Sequence, residues 1–178
     1  MKKKRSRHHC LTDMALFRPK QILPIFTDFD AKYYRERGFD TVFLDIDNTI
    51  AIPDTGTCDI RAEQFIKNLR ENGFKVLIFS NNNLKRVKMF IRDIDADIWF
   101  WAGKPLPFAY WMACLKLKTR PSKTIVMGDQ LLTDILGANL SGCYGIYCKQ
   151  LQEEDTPVTA RNRKIEKIIW KRLLHEEM

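Results

Sequence analysis

This chain predicts a three-layer α/β domain on a mainly parallel five-stranded sheet, and three observations carry that prediction. From residue 39 onward, short apolar runs alternate with helically periodic segments. The runs are almost continuously apolar, as strands buried on both faces are, and such strands belong to parallel sheets with helices on both sides. The chain has 178 residues, 45% of them hydrophobic, enough for one packed domain and too many for a disordered chain.

The first strand is expected at residues 39–46 (FDTVFLDI), rich in β-branched and aromatic residues. Asp59 is a candidate N-cap for a helix with Ala62, Phe65, Ile66 and Leu69 on one face, and Gly73 stops it. Residues 74–79 (FKVLIF) form the second strand. Asn82 or Asn83 caps a helix turning Leu84, Val87, Phe90 and Ile91 inward. Residues 97–101 (DIWFW) are the third strand, and 107–117 a helix with Phe108, Trp111, Met112 and Leu115 inward. Residues 124–127 form the fourth strand, 134–140 a short helix and 144–147 the fifth strand. A basic helix over 161–175 closes the chain, with Ile165, Ile168, Ile169 and Leu173 on its apolar face. Residues 39–178 are thus one domain. Residues 1–38 are a basic N-terminal arm that packs on the core or touches membrane. Its apolar residues Leu16, Phe17, Ile22, Leu23, Ile25 and Phe26 favour packing, while the basic run over 2–7 favours anionic lipid.

Composition removes several classes. Lys and Arg number 30 against 22 Asp and Glu, a net charge of +8. No apolar run approaches the roughly 18 residues of a membrane span. The basic start is interrupted by Asp13, Arg18 and Lys20, unlike a signal peptide, so the cytoplasm is the expected location, with peripheral contact at the inner membrane surface as an extension. Cys10, Cys58, Cys114, Cys143 and Cys148 lack CxxC spacing and are read as reduced, small hydrophobes. The three histidines, His8, His9 and His175, lie near the ends. Catalysis therefore falls to carboxylates.

In open parallel sheets the site lies at the carboxyl ends of the strands. There the sequence places Asp45-Ile46-Asp47-Asn48-Thr49, then Ser80-Asn81-Asn82-Asn83, then Gly103-Lys104-Pro105, then Gly128-Asp129-Gln130 with Asp134 five residues on. Asp45, Asp47 and Asp129 converging on one edge would repel one another unless they take protons or a cation. Hard oxygen ligands select Mg²⁺, which commonly shares its shell with a phosphate. Lys104 and Ser80 add a cation and a hydroxyl suited to a phosphoryl group, with Asn81 beside them. An aspartate can serve as nucleophile, and Asp47, two residues on, can exchange the proton of the leaving oxygen. Helix capping by Ser80 or Asp134 and a surface turn at Lys104 are the plainer readings.

The strings DIDNT (45–49), Ser80, Lys104 and GDQLLTD (128–134) resemble the four motifs of the haloacid dehalogenase (HAD) superfamily of phosphatases. The longer strings SNNNLKRVK and GDQLLTDILGANLSG resemble its subfamily IIIA, YqeG-type branch, which includes relatives of phosphatidylglycerophosphate phosphatase. The resemblance implies a Rossmann-like fold and Mg²⁺-dependent hydrolysis of a phosphomonoester. Asp45 would be the nucleophile and Asp47 the general acid/base. Ser80, Asn81 and Lys104 would hold the phosphate. Mg²⁺ would be held by Asp45, the Asp47 main-chain carbonyl and Asp129, with Asp134 in support. Two departures stand out: Asn48 replaces a common Gly, and Gly103 replaces a larger residue.

The intervals 50–73 and 81–103 leave no room for a cap domain, so a lipid headgroup or a macromolecule can reach the site. Phosphatidylglycerophosphate is the expected substrate. A phosphatase of nucleic-acid ends or nucleotides, and a basic RNA- or ribosome-associated binding protein on the same fold, are the alternatives that +8 allows. The cluster Trp99, Phe100, Trp101, Phe108, Tyr110 and Trp111 is read as core packing, with a lipid-facing patch as its alternative.

Overall fold

The computed structural model describes residues 14–53, 60–90, 96–153 and 157–175, apart from the side chains of residues 86, 89, 158, 174 and 175. Asp59, Cys10, Cys58, His8, His9, Ile91 and the basic run over 2–7 lie outside the described residues, as does the His175 side chain. Among the described residues the strands are β1 Gln21–Leu23, β2 Thr41–Leu44, β3 Lys75–Phe79, β4 Asp97–Trp99, β5 Thr124–Gly128 and β6 Tyr144–Cys148. The helices are α1 Ala31–Glu36, α2 Ile60–Glu71, α3 Leu84–Phe90, α4 Pro107–Lys116, α5 Leu136–Ser141 and α6 Pro157–His175. The strands form one sheet in the order β1-β6-β5-β2-β3-β4. Every pairing is parallel.

The sheet separates two apolar layers, which is why its strands carry no alternation with polar residues. Val42, Leu44, Val76, Ile78, Ile125, Met127 and Ile146 pack with Tyr34, Ala62, Phe65, Ile66 and Leu69 on one side. Phe43, Leu77, Phe79 and Val126 pack with Tyr110, Ala113, Cys114 and Ala138 on the other. Each fully buried side chain of this size contributes about 1.5–3 kcal/mol. A third cluster joins Leu131 and Ile135 to Ile169 and Leu173, and so seats α6 over the turn that follows β5. Cys114, Cys143 and Cys148 are buried free thiols.

The structure corrects the sequence expectation in four places. A sixth strand, β1, pairs with β6 through Gln21↔Ile146, Ile22↔Tyr147 and Leu23↔Cys148. It is only three residues long and lies between Pro19 and Pro24, which confine it to a sheet edge. Its length hides the periodicity of a strand. Helix α4 turns the other way from the expected one. Tyr110, Ala113 and Cys114 face the core, while Phe108, Trp111, Met112 and Leu115 are exposed. Close packing decides this: a Cβ on Gly137 would lie 2.3 Å from the Tyr110 hydroxyl, so only small residues fit between α4 and α5. Within the aromatic cluster, Tyr110 is core, whereas Phe100, Trp101, Phe108 and Trp111 are exposed. In α6 the inward face is Glu166, Ile169 and Leu173, and Ile165 and Ile168 point outward.

Candidate active site

From β2 the chain proceeds to β3 on one side, and from β5 to β6 on the other. The carboxyl ends of β2 and β5 therefore border the crevice where parallel sheets hold ligands. Asp45 extends β2 by one ladder bond, its N–H donating to the Met127 carbonyl at 3.0 Å. The chain then folds tightly: the amides of Ile50 and Ala51 both donate to the Ile46 carbonyl at 3.0 Å. Asn48 takes the left-handed conformation at φ 61°, which Asn tolerates at low cost. Its side chain and main-chain oxygens accept the amides of Gln152 and Leu151, at 3.3 and 3.1 Å, which ties this turn to the segment after β6. A glycine would provide the turn without the side-chain tie.

Ser80 follows β3. It is buried, and its Oγ accepts the Asn82 amide at 3.1 Å. The Asn81 side chain clamps the main chain of Lys104, accepting its N–H at 2.9 Å and donating to its carbonyl at 3.1 Å. The Lys104 ammonium, almost wholly buried, then donates to Asp45 Oδ1 at 2.6 Å and Asp134 Oδ1 at 2.7 Å. Asp134 reaches this point because β5 ends in glycine: a Cβ on Gly128 would lie 2.1 Å from the Asp134 carboxyl carbon. The Gln130 amide and Thr133 hydroxyl donate to its other oxygen at 3.3 and 3.1 Å. Asp129 is fully buried and accepts from Thr49 Oγ1 at 3.3 Å and from the Arg163 guanidinium, which also holds the Asp129 carbonyl. Arg163 is fixed in turn by Glu166 at 3.1 Å, and Glu166 accepts the Leu132 amide at 3.0 Å.

Asp45, Asp129 and Asp134 each bring an oxygen within 4.8 Å of the others. Burial drives the Asp45 carboxyl up to about 7; Asp134 and Asp47 add to this and Lys104 opposes it. Burial also pushes Asp129 well above the carboxylate range, with Asp45 and Asp134 adding to the effect against Arg163. Burial works against the Lys104 ammonium, but Asp134 and Asp45 outweigh it and hold its pKa above the ordinary value. The cluster is thus short of positive charge, and its hard oxygen donors suit a small divalent cation. A cavity of about 490 Å³ opens over it, lined by Asp45, Asp47, Ser80, Asn81 and Lys104, with Trp101 and α6 residues Thr159 and Asn162 at its sides.

All the residues singled out at the strand ends, Asp45, Asp47, Ser80, Asn81, Lys104, Asp129 and Asp134, line this cavity or the carboxylate cluster beneath it. Asn82, one of the two residues expected to cap the next helix, donates its side-chain amide to the Asp47 carboxylate, and Asn83 is the residue that precedes Leu84 at the start of α3. Arg163, on the basic last helix, is mostly buried against Asp129. Nothing in the sequence distinguishes it from Arg161 or Lys164. Only the docking of α6 does.

A family of haloacid dehalogenase-like hydrolases matches residues 26–142. A Bacillus subtilis (strain 168) protein described as probable phosphatase YqeG is 31% identical over 153 residues, 86% of this chain and 89% of that protein. Among solved structures, an uncharacterized protein from Listeria monocytogenes serotype 4b is similar with a TM-score of 0.52 at 21% identity, over 67% of this chain and 85% of that one. The cobalt-bound deoxy-D-mannose-octulosonate 8-phosphate phosphatase YrbI from Haemophilus influenzae has a TM-score of 0.51 at 15% identity, over 74% of this chain and 76% of that one. These two likenesses are of fold.

Proposed function

The chain belongs to the haloacid dehalogenase-like hydrolases and is a phosphatase, and from that premise we propose that it hydrolyses phosphomonoesters through an aspartyl-phosphate on Asp45, with Mg²⁺ bound. The observation that carries the reading is the buried Lys104 bridging Asp45 and Asp134 beside Asp129 at the β2/β5 crevice. Asp45, Asp129 and the Asp47 main-chain carbonyl would hold the ion, with Asp134 in support. When bound, it neutralises charge on the carboxylates and on the phosphoryl oxygens.

Lys104, the Ser80 hydroxyl and the main chain at Asn81 orient the phosphoryl group. The Asp45 carboxylate attacks phosphorus, the ester P–O bond breaks, and Asp47 gives its proton to the departing oxygen. Water then attacks the phosphorus of the aspartyl-phosphate and Asp47 takes the proton. The acyl-phosphate P–O bond breaks, releasing inorganic phosphate and restoring Asp45. The Asn82 amide aims the Asp47 carboxylate for both transfers.

The family resemblance and the open cavity support phosphatidylglycerophosphate as substrate, taken at the cytoplasmic membrane face. The net charge of +8 also supports phosphorylated nucleic-acid ends, which a comparison of phosphate release from lipid vesicles and from end-phosphorylated oligonucleotides separates. The test of mechanism is hydrolysis of an aryl phosphate with and without Mg²⁺. Activity is expected to require the ion and to fall by about 10³-fold or more in Asp45→Asn, the scale for loss of a nucleophile. Unchanged turnover in Asp45→Asn removes the nucleophile assignment.

A further inference from the structure

Helix α4 carries its apolar stripe on the outside. Phe108, Trp111, Met112 and Leu115 recur at i, i+3, i+4 and i+7, so they form one continuous row. Phe108 is 67% and Leu115 70% exposed, and Leu106, just before the helix, is 65% exposed. Large connected apolar patches on a soluble surface mark interaction sites.

Two further observations say what covers this one. The first is place. Trp101, 69% exposed, is a wall of the catalytic cavity. Only Pro105 and Leu106 separate Lys104 from the start of α4. The row therefore begins at the mouth of the cavity and runs away from it for about 15 Å, the length of a ten-residue helix. The second is charge. Between Asp97 and Asp129 the chain has no Asp or Glu, and its charged residues are Lys104, Lys116, Lys118, Arg120 and Lys123. Apart from buried Lys104 these are exposed. An apolar row of Trp, Phe and Leu that ends on the exposed cations Lys116 and Lys118 suits the interface of an anionic bilayer. A second copy docked face to face would bring these cations against their own equivalents.

We propose that the α4 face, from Trp101 and Leu106 through Leu115, seats the protein on an anionic lipid surface with the catalytic cavity opening at headgroup level. The inference deepens the reading of a lipid phosphomonoester substrate and rests on it. The apolar part of an amphiphilic substrate would stay in the bilayer beside Trp101 and Leu106 while its phosphate reaches Lys104.

The test is co-sedimentation of the full chain with phosphatidylcholine vesicles containing about a third phosphatidylglycerol, with tryptophan emission as a second readout. Binding is expected, with a blue shift from Trp101 and Trp111, and weaker binding to pure phosphatidylcholine. Phe108→Gln with Leu115→Gln is expected to weaken binding about tenfold or more, because two apolar side chains leave the interface, and to leave aryl phosphate hydrolysis unchanged. No vesicle binding by the unaltered protein, or equal binding by the double variant, overturns the proposal. So does a dimer in sedimentation velocity that the double variant dissociates. Vesicle binding without phosphate release from any lipid monoester upholds the docking face and removes the lipid substrate. Hydrolysis of a detergent-dispersed lipid monoester without vesicle binding does the reverse.

Discussion

The Lys104 ammonium lies 2.6 Å from Asp45 and 2.7 Å from Asp134, and little water reaches any of the three side chains. Removing one partner of a buried ion pair costs about 3–5 kcal/mol because the remaining charge loses its compensation. Lys104→Met is therefore expected to unfold at markedly lower urea concentration and to lose phosphatase activity. Asp45→Asn should act the other way on stability. A carboxyl held at about 7 by burial is ionised at pH 8 against the preference of its surroundings. A neutral amide of the same shape removes that cost and leaves Lys104 paired with Asp134. In chelator at pH 8, Asp45→Asn is expected to melt above the unaltered protein while being inactive; a lower melting temperature contradicts this account. Asp45 was legible in the sequence because it stands where an apolar strand ends, and Lys104 and Asp134 because they lie in the segments that follow β4 and β5. Asn82 and Arg163 were not, because their roles are set by what folding places opposite them.

At the scale of elements, β5, the wide turn Leu131–Ile135 and α5 act together to bring Asp134 back over its own strand. That return leaves no space at Gly128. Gly128→Ala is expected to cost about 1–3 kcal/mol by overpacking and to lower activity by displacing the carboxylate that fixes Lys104, read from chemical denaturation and from kcat. Helix α6 adds a second constraint, since Arg163 neutralises Asp129 from outside the sheet. Arg163→Met is expected to lower the melting temperature in chelator and to recover most of the loss in Mg²⁺, because the ion takes over the neutralisation of Asp129. An equal loss in both media assigns Arg163 a packing role alone. Strands β2, β3, β5 and β6 were legible as unbroken apolar runs, since burial on both faces leaves no other composition. The face of α4 was not. Its apolar period is genuine, but periodicity reports that a face is apolar and not what covers it. Tyr110 claims the core through its fit against Gly137, and Ala113 and Cys114 share its face.

For the whole molecule, the carboxylate cluster links stability to pH and to metal. Asp45 and Asp129 both bind protons more readily in the folded chain than as free carboxyls, chiefly through burial. At these two groups the folded state therefore holds more protons than the unfolded state from about pH 4, where a free aspartate titrates, to at least about pH 7, where Asp45 does. Where the folded state binds more protons, stability falls as pH rises. In chelator, the protein is accordingly expected to be more stable at pH 5 than at pH 8, opposite in sign to the usual ion-paired aspartate. A divalent cation should reverse this by binding the ionised carboxylates, which the unfolded chain does not gather. At about a hundredfold excess over Kd such binding adds about 2.7 kcal/mol, or roughly 5–10 °C in melting temperature for a chain of this length. Melting curves at pH 5 and pH 8, in chelator and in Mg²⁺, are the measurement. The expected pattern is a Mg²⁺ effect that is large at pH 8 and small at pH 5, where protons compete for the same oxygens. A Mg²⁺ effect independent of pH would place the ion away from these carboxylates.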